Sequence, residues 1–144
     1  MEMSILATAA FVILALPRAA SAGEYTDQVN GQLAIVKLAA LTDGWTETHN
    51  DRLDSLNSGQ SDSFTFTLRR GRSYKVLSVC DEDCSDLDLT LYDEYNNKIG
   101  QDLQTDSLPI IGVNPRWTGK YRLVVKMYSC HRNPCYYGIS ILGK

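Results

Sequence analysis

The residues of this 144-residue chain with most chemistry to offer are four cysteines, two histidines and a knot of carboxylates. Asp81, Glu82, Asp83, Asp86 and Asp88 place five carboxylates within eight residues. Like charges this close repel unless something neutralises them. Calcium does so, drawing six to eight oxygens from carboxylates and backbone carbonyls. Asp81, Asp83, Asp86 and Asp88 are therefore the candidate calcium ligands, without the fixed spacing of an EF-hand. The competing reading is a solvated acidic face, with Asp86 and Asp88 meeting Arg122 and Lys126 across strands.

Cys80, Cys84, Cys130 and Cys135 are spaced C-x3-C and C-x4-C. Zinc knuckles mostly use C-x2-C and redox pairs use C-x-x-C, so two disulfides are the better reading. Four cysteines allow three pairings. The local pairs, Cys80–Cys84 and Cys130–Cys135, are the expectation. Loops so short gain little from chain entropy, so each bridge would chiefly shape its loop.

The inventory for catalysis is poor. His49 and His131 sit in no recognisable triad or metal pattern, and no G-x-S-x-G, H-E-x-x-H or Gly-rich phosphate loop occurs. Asp86 and Asp88 would lie about 6–7 Å apart on one strand face, whereas glycosidase carboxylates flank a bond from opposed surfaces. A non-enzyme is expected. Among the aromatics, Trp45, Trp117, Tyr128, Tyr136 and Tyr137 could stack on sugar rings. Tyr137 falls on an inward register and tryptophans commonly anchor cores. Tyr128 and Tyr136 flank the Cys130–Cys135 loop and form the candidate ligand surface.

Ile5 to Leu16 form an apolar run too short to span a bilayer, followed by Pro17 and the small-x-small tripeptide Ala20-Ser21-Ala22. This predicts a cleaved signal peptide over residues 1–22, although Met1 to Ser4 carry no basic residue. A single domain over 23–144 and a periplasmic or secreted location follow, where disulfides persist. No Cys follows the run to mark a lipid anchor, and no later stretch supports stable membrane insertion. With a net charge of −3, the chain carries no electrostatic footprint for nucleic acid.

The elements that must position these residues are mostly strands. Val29, Leu33, Val36 and Ala40 recur at helical spacing, with Ile35 and Ala39 widening the stripe, and predict an amphipathic helix over about 26–42 docked on the sheet. Its polar face has one Lys and no basic cluster for a membrane surface. From Trp45 the period changes to two. Short strands are predicted at Trp45–His49, Phe64–Leu68, Tyr74–Val79, Asp86–Tyr92, near Ile99, Leu108–Val113, Tyr121–Met127 and Tyr136–Leu142, with Asn50–Asp62 a polar connection. Seven or eight strands over about 45–142 make an all-β, jelly-roll-like sandwich with one N-terminal helix.

Phe64-Thr65-Phe66-Thr67-Leu68 with Gly71 and Tyr74, then Asp86 to Asp93, then Thr118-Gly119-Lys120-Tyr121-Arg122-Leu123-Val124-Val125, resembles the bacterial pre-peptidase C-terminal domains. The resemblance spans roughly Ser61 to Leu142. It implies an exported jelly-roll-like sandwich of the kind appended to proteases and other exported enzymes. The acidic loop Cys80–Cys84 and the tail Cys130–Cys135 depart from that family's pattern. The expected function is an exported non-catalytic binding or accessory module, with its site at the end carrying both disulfide loops. Its partner would be an exported protein, such as a protease that it inhibits or assists, or a glycan, bound with calcium in an adhesion variant.

Overall fold

The computed structural model describes residues 21–144. The apolar run Ile5–Leu16, read as the core of a leader, lies outside the described residues. Helix α1 (Ala22–Leu41) starts earlier than its apolar spacing suggested. Ser21 is the N-cap, and its N–H donates to the Glu24 carboxylate at 2.9 Å, one half of a capping box that adds a turn ahead of Thr26.

Nine strands follow: β1 (Thr46–Glu47), β2 (Arg52–Leu56), β3 (Ser61–Leu68), β4 (Tyr74–Cys80), β5 (Cys84–Tyr92), β6 (Lys98–Asp102), β7 (Ile110–Val113), β8 (Gly119–Cys130) and β9 (Cys135–Gly143). They form two antiparallel sheets, one ordered β1-β9-β4-β7 with β2 also on β9, the other β3-β8-β5-β6. The expected all-β sandwich with a single helix is what the chain forms. Strand β2 was not anticipated within Asn50–Asp62. Leu53 and Leu56 sit three apart, and the strand pairs on one side only, so no alternation marks it.

Leu87, Leu89 and Leu91 of β5 face Leu123, Val125 and Met127 of β8, and these join Val76, Ile139 and Ile141 in the core between the sheets. Strands β4 and β9 are buried on both faces, which is why they read as near-continuous apolar runs. Their outer face is covered by α1. Val29 and Leu33 pack with Leu77, Val79 and Leu142 as a second core. A β-carbon on Gly138 of β9 would meet Val29 Cγ1 at 2.7 Å and Leu33 Cδ1 at 2.8 Å, so this glycine is the socket that receives the helix. Lys37 fastens the other end of α1 to Glu47 and Asp51. The widening of the stripe by Ile35 and Ala39 is not used for docking: both are exposed, Ile35 at 70%.

The open edge between β2 and β3 is blunted. Asp54 and Asp62 each accept the N–H of the following serine, at 2.8 and 2.7 Å. His49 Nε2 bonds the Thr67 carbonyl at 2.8 Å. Each removes a free group that a foreign strand could otherwise pair with.

Candidate functional site

Both disulfides are the local pairs, Cys80–Cys84 and Cys130–Cys135, each with Cα atoms 5.9 Å apart. Cys84 and Cys130 are also register partners in the β5–β8 ladder, which sets the two loops side by side. Asp81 sews them together. Its Oδ1 accepts the Asp83 N–H at 3.1 Å and its Oδ2 accepts the Tyr136 N–H at 2.8 Å. Its own N–H donates to the Tyr136 carbonyl, and the His131 N–H donates to the Asp83 carbonyl at 2.8 Å. The Asp81 side chain is 2% exposed. Burial pushes its carboxyl up, against the pull of the backbone N–H groups that favour the charged form.

Helix α1 buttresses this end. Gln32 Nε2 donates to the Cys80 carbonyl at 2.7 Å, and Gln28 Oε1 accepts the Glu82 N–H at 3.2 Å. Tyr25 stacks on Tyr136 with ring centroids 5.8 Å apart, and the Asp83 carboxylate beside the Tyr25 hydroxyl pushes its pKa up. Of the two aromatics expected on the ligand surface, Tyr128 is open, 59% exposed. Tyr136 is half-buried under Tyr25, so it supports the platform more than it presents itself. Of the other aromatics, Tyr137 is fully buried and Trp45 packs beneath α1. Trp117 lies beside Tyr95 and donates its indole N–H to Glu94 at 2.9 Å.

The four candidate calcium ligands are not brought to one point. Asp81 has both oxygens committed to backbone donors, and Asp83 stays in the loop. Asp86 and Asp88 come together separately, within hydrogen-bonding reach of each other. A bulge between Cys84 and Leu87 re-aims Asp86, which is 6% exposed. Asp102, the last residue of β6, and Asp106, in the segment that follows, add negative charge nearby, and nothing in their spacing marked them as neighbours. Lys126 is the register partner of Asp88 and the counter-charge closest at hand, whereas Arg122 turns away to Asn96 and the Tyr92 ring. Asp86 Oδ1 and Asp88 Oδ1 are buried with no hydrogen-bond partner. Burial, then neighbouring carboxylates, push both carboxyl groups up. Among the described residues, no group of three or more His, Cys, Asp or Glu side chains is gathered so as to hold a metal ion.

The His49 ring lies between Thr48 Oγ1 and the Thr67 carbonyl, both at 2.8 Å, and His131 is exposed in the Cys130–Cys135 loop. Among the described residues, no helix is long and apolar enough to cross a membrane. A comparison with family models and with curated proteins finds no match to this chain.

Proposed function

We propose that the protein is an exported, non-catalytic binding or accessory module, periplasmic or secreted, that presents the disulfide-knit end of its sandwich to an exported protein or a glycan. The observation that carries this reading is the joining of the two bridged loops through the single buried carboxylate of Asp81. Loops held this way lose little entropy on binding, and rigid loops at the end of a sandwich are where such folds place recognition. Tyr128, Glu82 and Arg132 stand exposed around that end, offering a large aromatic face flanked by both signs of charge. The resemblance to pre-peptidase C-terminal domains supports the exported accessory role. The strand motifs that carry it form β3, β5 and β8 of one sheet, and β5 and β8 run into the disulfide loops that would give this chain its own partner.

A calcium-dependent adhesion module is the second reading, and one observation favours it: two buried, unpartnered carboxylate oxygens on Asp86 and Asp88. Thermal melting of the oxidised protein in excess EDTA, then in millimolar calcium, then with a glycan panel separates the two. A ligand at a hundredfold excess over its Kd adds about 2.7 kcal/mol, a shift of several degrees. Stabilisation by a glycan without calcium supports the first reading. Stabilisation by calcium that Asp86→Ala with Asp88→Ala abolishes supports the second.

A further inference from the structure

The turn between β3 and β4, at the opposite end of the sandwich from the disulfides, carries Arg69, Arg70 and Arg72 in a chain of net charge −3. None of the three has a carboxylate within ion-pairing distance among the described residues, where Lys37 makes the ion pairs, with Glu47 and Asp51. Arg69 and Arg72 instead line a cleft of about 590 Å³, with Thr67, His49 and Tyr74 along its wall. The Tyr74 ring is 3% exposed, and its hydroxyl accepts the Arg69 N–H at 3.1 Å, which leaves the hydroxyl proton free to donate. Glu47, the carboxylate at the rim, is held by Lys37 at 3.2 Å.

We propose that this cleft binds a tetrahedral oxyanion carried on a small organic body, a phosphate or sulfate monoester. Guanidinium forks can meet such oxygens bidentately, where an ammonium would act only as a point charge. The hydroxyls of Tyr74 and Thr67 add neutral donors, so the donors outnumber what a single carboxylate can use. The volume exceeds that of a bare ion and leaves room for a body the size of one sugar ring. The site is independent of the disulfide end and would stand if that end bound nothing.

Isothermal titration at constant ionic strength tests it, with glucose 6-phosphate, glucose 6-sulfate and unmodified glucose as probes. The expected result is binding of at least one ester with a Kd below about 1 mM, equivalent to about 4 kcal/mol, and none of glucose. Phosphate and sulfate esters are separated by which of the two titrates. Arg69→Gln with Arg72→Gln should weaken binding by tenfold or more, since each hydrogen bond to a charged group contributes about 1.5–3 kcal/mol. Arg116→Gln should leave it unchanged. Arg72→Lys is the second variant, keeping the charge and losing the fork, and it too should weaken binding. Failure of both esters to bind, equal binding of glucose, or binding that survives in the folded double variant would overturn the proposal.

Discussion

Asp86 and Asp93 are buried to nearly the same degree, 6% and 4% exposed, yet their carboxyl groups move in opposite directions. Asp93 accepts the N–H groups of Tyr95 and Asn97, at 2.9 and 2.8 Å, and these hold it below the usual carboxylate range in spite of burial. Asp86 has an oxygen with no partner, and burial and then the Asp106 charge push it up, while burial and then the Asp86 charge push up Asp88 beside it. Keeping both carboxylates charged is therefore disfavoured, and a proton shared between them relieves the cost. A raised pKa means that the protonated pair contributes stability fully present below the ordinary carboxyl value and lost as pH rises through the raised one. Asp86→Asn replaces that proton with a permanent amide donor toward Asp88. One hydrogen bond to a charged group contributes about 1.5–3 kcal/mol, and part is lost in fitting the second amide hydrogen, so a gain of about 1–2 kcal/mol at pH 7.5 is expected. For a domain of this size that raises Tm by about 5 °C. At pH 4 the advantage should shrink towards zero. Melting followed by circular dichroism at both pH values in EDTA is the assay. An unchanged or lowered Tm at pH 7.5, or a gain that is the same at pH 4, would refute the reasoning.

Asp81→Ala should cost about 3 kcal/mol in urea unfolding because two buried N–H groups lose their acceptor, whereas Asp81→Asn, which keeps one acceptor oxygen, should cost about half as much. Tyr137→Phe removes a buried hydroxyl with no partner and should leave the protein equally stable or about 1 kcal/mol more stable, read by the same unfolding curves. Reducing the two disulfides, whose ends are four and five residues apart, should lower stability by no more than about 2 kcal/mol each, the low end of what chain entropy gives. Lys37→Ala should cost about 1–2 kcal/mol, because it leaves the half-buried Asp51 charge without its ammonium, with Asp51→Asn largely rescuing it.

The alternation of Leu87, Leu89 and Leu91, and of Tyr121 through Met127, made the central strands legible because one face of each is core and the other is not. Strand β2 was hidden for the opposite reason, since an edge strand under no complete core has little pressure to alternate. The helix was visible, but its outward face was not. Ile35, Leu38 and Leu41 carry apolar side chains into solvent, which hydrophobicity alone reads as part of a docking stripe. At the site, four cysteines allow three pairings, and the expected local pairs are the ones that form. The role of Asp81 was not legible, because a carboxylate that caps backbone N–H groups across the fold looks in sequence like any member of an acidic loop. Asp102 reaches Asp88 because β6 pairs with β5, where Leu89 is its register partner, and Asp106 follows along the same edge with its carbonyl accepting the Leu87 N–H, neither of which the spacing of the carboxylates encodes.

In the proposed function the disulfide-knit end is the interaction surface, and Tyr128 is its most exposed aromatic. The most direct measurement is co-sedimentation of the oxidised protein with isolated bacterial envelope fractions, comparing wild type with Tyr128→Ala and with Tyr95→Ala, an exposed tyrosine away from the disulfide loops. Retention on one fraction is expected, lowered at least tenfold by Tyr128→Ala and unchanged by Tyr95→Ala, in line with the loss of about 2 kcal/mol or more when an interface anchor is truncated. Retention that is unaffected by Tyr128→Ala, or no retention on any fraction, would contradict the proposed function.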